Sequence, residues 1–464
     1  MKIYESVFLK SKSTYSIIRY TLLFSFFLRI FFLLLRAFQD ISGQHTWRQI
    51  DTLGVSMRYW LRLSTESINE GWKFFLPAVL QAGDGNGILP MEFPILNLAF
   101  SPFWAFGPYW GKILIYLSFG ALMTLLALLL SRKKHWLALS ILLLPSMSYS
   151  ADFFEKFLPD TIAMMLITMG CFSYVRNRGN GLIWFTFALL IKPTSVVGFI
   201  FLFLFKNFRK NLYHYLPPLL VPLTLTFIYY TKGLSFISSH TVGTPDIFYV
   251  AVRNPLDSLK GILNHPSFIS DQFLNRFFMM WGTFAFFLMV FFKKKQLPMK
   301  VIVQIVFGML FIFFTISALD GTHLLQHNYY FLSGAPFYCA VFYLLMRNTK
   351  KWVTIVACLF IFIHAIELSA QHIKPINFVS YREKMNECQD LIKRNSDFPW
   401  KSVHAFRSTD EPCPSIGLCF GEKQGSTRSN FGFYYHLEPS KVPAGCHIAD
   451  ESKNFTLVRC DKNI

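Results

Sequence analysis

The chain has 464 residues, of which 53% are hydrophobic, 18% aromatic and only 15% charged. Soluble domains carry about 25% charged residues, so an ordinary soluble enzyme is excluded, as are disordered, collagenous, coiled-coil and knottin-like chains. The net charge of +19 would suggest nucleic acid in a soluble protein. Here the basic residues are placed as membrane-topology signals, and no nucleic-acid partner is expected.

The apolar runs are unbroken rather than alternating, which predicts spanning helices and argues against a β-barrel. In chain order the spans fall at 17–38, 112–131, 136–150, 158–175, 214–231, 276–292, 301–318, 329–346 and 352–369. Six basic clusters lie between them: Lys2/Lys10/Lys12/Arg19, Arg132–Lys134, Arg176/Arg178, Lys206/Arg209/Lys210, Lys293–Lys295/Lys300 and Arg347/Lys350/Lys351, with Glu5 as the one acid. The positive-inside rule puts all six in the cytoplasm. Between Arg178 and Lys206 the apolar stretch Leu182–Phe205 has basic flanks on both sides. It is too short for two crossings of about 20 residues each, and Lys192–Pro193 interrupts its middle. A hairpin of two half-length helices follows, with Lys192 near the outer side. The result is an all-α polytopic membrane protein of about 11 segments, N-terminus inside and C-terminus outside.

The first segment contains Arg29 and Arg36 and lacks a small-residue cleavage site, so it reads as a retained helix. The two arginines share a face, either snorkelling or meeting a lipid phosphate. The domain reading is a transmembrane domain over 1–370, including a first outer loop at 39–111, and a small extracytoplasmic α+β domain over 371–464. That tail carries Cys388, Cys413, Cys419, Cys446 and Cys460. An oxidising compartment would allow one or two disulfides, and a zinc site finds no C-x-x-C support. Cys171, Cys339 and Cys358 read as apolar packing.

The chemistry concentrates in the first loop. His45-Thr46-Trp47-Arg48-Gln49-Ile50-Asp51-Thr52 follows the first helix directly, then come the amphipathic stretch 55–63, Phe74-Phe75-Leu76-Pro77 and Glu92-Phe93-Pro94. Amphipathic helices with aromatic and basic residues lie in the interface, where they would roof a cavity at headgroup depth. Asp51 is a helix N-cap, a surface charge, or a general base that takes a proton from an attacking hydroxyl. The electrophile would be membrane-borne, and a polyprenyl-phosphate sugar fits. The departing phosphate wants cations, for which Arg48, Lys192 and Arg29 are candidates.

This first-loop pattern resembles the signature of one branch of the GT-C membrane glycosyltransferases, the branch of protein mannosyltransferase, aminoarabinose lipid A transferase and core galacturonosyltransferase. Glu155 with Leu158-Pro159-Asp160 is a second match, and His327-Asn328-Tyr329-Tyr330-Phe331-Leu332 is similar to the family's H-x-Y-Y-x-L-P, with Ser333 where the family often has Pro. The resemblance covers roughly 17–346. It implies a catalytic acid at Asp51, a positioning acid at Glu92, and substrate-binding positions among His45, Arg48, Gln49, Glu155, His327 and Tyr330.

Each residue also has a plainer reading. His45 is a solvated loop histidine, Arg48 pairs with Asp51 or Glu92, Asp160 caps its helix, and Lys192 snorkels. No motif selects a metal site or a cofactor; a divalent metal on His45, His323 or His327 with Asp51 is left open.

The expected function is transfer of a sugar from a polyprenyl-phosphate donor to a hydroxyl of a lipid, glycan or protein acceptor, outside a bacterial cytoplasmic membrane. A polyprenyl-linked glycan transporter or flippase is the rival, and a glycan polymerase or ligase a third reading.

Overall fold

The computed structural model describes residues 12–39, 46–64, 91–132, 156–239, 255–264, 299–320, 332–371, 378–395, 404–407, 431–435 and 444–461, with Pro77, Ser440 and Val442. The expected spans at 136–150 and 276–292 lie outside them. The chain divides into two compact units, Met1–Leu33/Phe119–Tyr229/Val250–Lys374 and Leu34–Ser118/Tyr230–Tyr249/Pro375–Ile464.

The first unit is helical because an apolar chain in lipid must satisfy its own backbone. Helix α1 (Lys12–Arg36) buries Ile18, Leu22, Ser25, Phe26, Arg29, Ile30 and Leu33, and exposes Tyr20, Phe24, Phe27 and Phe31. That spacing of three and four is a helix with one protein face and one lipid face. Arg29 is on the protein face and fully buried, which removes its snorkelling reading; Arg36 is only half-buried.

Helices α5 (Pro159–Tyr174) and α6 (Arg178–Ile191) are joined by a tight turn. Asn177 caps α6, accepting from the Asn180 N–H at 3.4 Å. The two helices approach closely because Gly170 faces the Phe185 ring and Gly181 faces the Tyr174 backbone. The helix then breaks where the sequence suggested. Lys192 is extended (φ −150, ψ 108), and Pro193 opens a 3₁₀ run, Pro193–Leu204. At 14 and 12 residues the two pieces measure about 21 and about 24 Å, short of a hydrocarbon core of about 30 Å.

Helices α7 (Leu212–Ile237, with a 3₁₀ turn at Pro217–Leu219 and a π turn at Tyr229–Gly233), α8 (Pro255–Leu263), α9 (Met299–Asp320), α10 (Ala335–Asn348) and α11 (Lys351–Gln371) follow. Thr349 and Thr354 pin the α10–α11 turn, both donating to the Met346 carbonyl at 3.0 and 2.7 Å.

The second unit holds the first-loop helix α2 (Thr46–Ser64), α3 (Ile95–Phe100), a 3₁₀ run Ser101–Phe106 and the start of α4 (Gly107–Arg132). Gly107 has φ +84, a conformation only glycine adopts cheaply, and it separates the loop elements from α4. The C-terminal segment contributes α12 (Phe378–Arg394) and a four-stranded sheet in the order β1-β2-β4-β3: β1 (His404–Arg407), β2 (Phe431–Tyr435), β3 (Cys446–Glu451), β4 (Phe455–Cys460). β1 and β2 are parallel, the other pairs antiparallel. The tail is thus α+β.

Among the described residues, three helical stretches are long and apolar enough to cross a membrane, Ser16–Arg36, Ile95–Leu130 and Leu212–Ile237. With their exposed aromatic faces they describe an integral membrane protein, mostly helical.

A methyl group at Gly181 would sit 2.4 Å from the Tyr174 Cα, against backbone that cannot move aside. Gly181→Ala should lower the melting temperature in detergent by an overpacking cost of roughly 1–3 kcal/mol. Gly179→Ala, where the nearest atom is 3.5 Å away, should be neutral.

Candidate functional site

The first-loop signature stands on α2. The helix starts at Thr46, so Asp51 is its sixth residue and not the cap, because an N-cap precedes the first helical residue. Arg48, Asp51, Val55, Arg58 and Arg62 recur at spacings of three and four, which places five positions along one face. The side chains of Arg48 and Asp51 lie outside the described residues. Val55 and Arg62 are buried and Arg58 is half-buried.

α2 is unusual for a polar helix, since Gln49, Thr52, Leu53, Val55, Ser56 and Tyr59 are all buried. Burial pushes the Tyr59 phenol well above its ordinary range, opposed in part by the Arg62 guanidinium. Met91 packs with Val55 and Tyr59. The half-buried Glu92 is the next residue, so the two expected acids belong to segments packed together in one unit.

Two residues the sequence reading missed hold α2 in place, and a third, Lys112, packs beside one of them. The Tyr116 hydroxyl donates to Gln49 Oε1 at 2.6 Å. Asn97 Nδ2 donates to the Thr52 carbonyl at 2.7 Å. Lys112, fully buried, donates from Nζ to the Gln39 carbonyl and lies 5.8 Å from the Tyr116 ring centroid. Asp51 is bracketed by the two clamped positions, Gln49 and Thr52. The available signal was a lysine inside an apolar span one helical turn from a tyrosine.

In the first unit, Lys192 forms a buried ion pair with Asp160 Oδ1 at 3.3 Å. This corrects both plain readings. Lys192 does not snorkel, and Asp160 is not a cap: Leu158 holds that position, with Pro159 first in the helix and Asp160 in the first turn, where the helix dipole favours an acid. Thr194 and Ser333 share a hydrogen bond of 2.9 Å, so Ser333 ties the broken element to the start of α10. Thr161 and Ser195 are buried nearby in sequence. His45, Glu155, His327 and Tyr330 lie outside the described residues, as does His323.

In the tail, Cys446 and Cys460 are disulfide-bonded and directly opposite in the β3–β4 register. Cys388 is also disulfide-bonded, so none of the three is a thiolate for zinc. Cys171, Cys339 and Cys358 are free and buried, as expected for packing. Asn454, in the sequon Asn454-Phe455-Thr456, gives its backbone N–H and its Nδ2 to the Glu387 carboxylate, each at 2.6 Å. Among the described residues no cluster of three or more His, Cys, Asp or Glu could hold a metal.

No family model matches the chain, and no curated protein matches it. Among solved structures the chain is similar to the crystal structure of ArnT from Cupriavidus metallidurans in the apo state. The two are 9% identical, the match covers 92% of this chain and 95% of that one, and the TM-score is 0.42. A likeness of that degree fixes neither fold nor activity.

Removing one partner of a buried pair strands the other charge, at a cost of about 3–5 kcal/mol. Lys192→Met and Asp160→Asn should each lower thermal stability sharply in detergent, and the double variant should recover much of the loss. Single variants that melt like the parent would show that the pair contributes nothing.

Proposed function

We propose that the protein is a membrane glycosyltransferase of the GT-C type. It moves a sugar from a polyprenyl-phosphate donor to a hydroxyl of a lipid, glycan or protein acceptor on the extracytoplasmic side. The observation that carries this reading is the placement of Asp51 well inside a largely buried first-loop helix, on one face with three arginines. A helix cap has no need of that environment. A base that must take a proton while a phosphate departs needs a dry site with cations beside it.

In this scheme Asp51 accepts the proton of the acceptor hydroxyl as that oxygen attacks the anomeric carbon. The bond from the anomeric carbon to the phosphate oxygen breaks, and the polyprenyl phosphate leaves. Direct displacement gives inversion. Arg48, Arg58 and Arg62 supply positive charge along the same face, and Glu92 orients the acceptor or donor. His45, Gln49, Glu155, His327 and Tyr330 are assigned to substrate binding. Lys192 was assigned to the phosphate, and its ion pair with Asp160 supports a structural part for it instead. No cofactor enters the scheme, and the lipids of the membrane are its other partner.

Disulfides at Cys446–Cys460 and Cys388 support an extracytoplasmic tail. This agrees with an N-terminus inside and a C-terminus outside a bacterial cytoplasmic membrane.

One observation favours the transporter reading: a broken element with a buried ion pair at the break is also how transporters build intramembrane sites.

Asp51→Asn keeps the shape and removes the base. In membranes given labelled polyprenyl-phosphate sugar it should lower transfer by about 10²-fold or more, the usual contribution of a general base, while donor binding persists. Transfer at the parental rate would end the base assignment. A transporter would instead keep partial activity without Asp51 and lose it in the double variant Lys192→Met/Asp160→Asn, whose stability is largely restored.

A further inference from the structure

The hydrogen bond between Tyr116 and Gln49 does more than hold a helix. The Tyr116 hydroxyl donates to Gln49 Oε1, and in this arrangement the Gln49 Nε2 points the other way. Gln49 is fully buried, and among the described residues its Nε2 has no hydrogen-bond partner. An amide nitrogen carries two donor protons. Native proteins seldom leave such a group orphaned, and each case asks for an unseen water or ligand.

The other end of the line says which ligand. Lys112 is a buried cation on the same helix as Tyr116, four residues earlier, 5.8 Å from its ring centroid. A cation there draws electron density from the phenol and strengthens the bond its hydroxyl donates. The acceptor amide is polarised in turn, and its N–H groups become better donors. Hydrogen bonds in series reinforce one another in this way. A chain that starts on a positive charge and ends on an unfilled donor favours an anionic oxygen over a neutral one.

We propose that Gln49 Nε2 is a phosphate-oxygen donor, primed by the buried relay Lys112–Tyr116–Gln49. The ligand class is a phosphate monoester or diester at the lipid surface. This rests on the glycosyltransferase reading only for the identity of the lipid. Gln49 touches the ligand; Tyr116 and Lys112 act through it and are positioning residues.

The test uses the full-length protein in phosphatidylcholine nanodiscs, with and without undecaprenyl phosphate as the probe. Binding is read by the quenching of a spin-labelled probe, folding by thermal melting. Tyr116→Phe keeps the ring and its packing and removes the polarising bond; it should weaken probe binding by roughly threefold to tenfold, because Nε2 stays present as a donor but loses its polarisation and its fixed orientation. Gln49→Glu presents an anion in place of the donor and should abolish binding. The double variant Tyr116→Phe/Gln49→Met replaces both polar partners by apolar groups of similar shape, which is near neutral for folding. It should melt like the parent and bind no probe.

Inorganic phosphate that competes with the probe marks recognition of the phosphate alone; failure to compete marks recognition of the lipid-borne ester. Both outcomes keep the donor assignment. Parental affinity in Gln49→Glu and in the double variant overturns it. The base assignment fails separately: Asp51→Asn that still transfers sugar, alongside Gln49→Glu that binds no probe, removes the base and leaves the relay standing.

Discussion

The hydroxyl of Tyr116, donating to Gln49 at 2.6 Å, fastens the first-loop helix to a spanning helix, and the chemistry proposed for the second unit depends on that attachment. A free interfacial helix would slide and roll on the membrane surface, because apolar contacts with lipid have no direction. A buried polar bond does have direction. With Asn97 holding the Thr52 carbonyl, α2 is fixed at two points about one turn apart, and Asp51 follows Ile50 between them. A catalytic acid must be placed to within a fraction of an ångström. Two short bonds to rigid neighbours supply that, where a loop could not.

Lys112 shows why the attachment sits at the start of α4. A lysine inside an apolar span is expensive unless its charge finds a partner. Here it meets the Gln39 carbonyl, in the turn just beyond the end of α1. The ammonium thereby links the end of one span to the beginning of the next within a single unit. In the other unit Lys192 and Asp160 solve the same problem by pairing directly. The break at Lys192–Pro193 leaves backbone groups without helical partners, and only a protein-lined place tolerates such a break in a membrane. The glycines of α5 and α6 make that lining tight.

Much of the fold was legible in the sequence, because lipid imposes a simple rule on it. Long apolar runs between basic clusters gave the helices around α1, α4, α5, α9, α10 and α11, and Lys192–Pro193 gave the break. The cysteine-rich tail was recognisable as a separate kind of structure. The candidate site was legible as a pattern. Asp51, Arg48 and Gln49 stand out in the sequence, but α2 starts too early for Asp51 to be a cap, which no spacing rule revealed. Asn97 and Tyr116 were missed because an asparagine and a tyrosine near a membrane boundary are ordinary, and their partners lie 45 and 67 residues away. The Asp160–Lys192 pair was missed because each residue had a local explanation, a cap for one and snorkelling for the other. Long-range polar pairs have no period in the sequence, whereas apolar burial does.

The proposed base chemistry requires the Asp51 carboxyl to sit in a dry, lipid-accessible hollow beside cationic groups. Carbodiimide labelling of native membranes, read by peptide mass spectrometry, tests it most directly. A hydrophobic carbodiimide should modify Asp51, a water-soluble one should not, and a polyprenyl-phosphate sugar should protect it. The exposed Asp390 should show the opposite preference and no protection. If Asp51 reacts as Asp390 does, with the water-soluble reagent and regardless of the donor, the carboxyl faces bulk water and the account is contradicted.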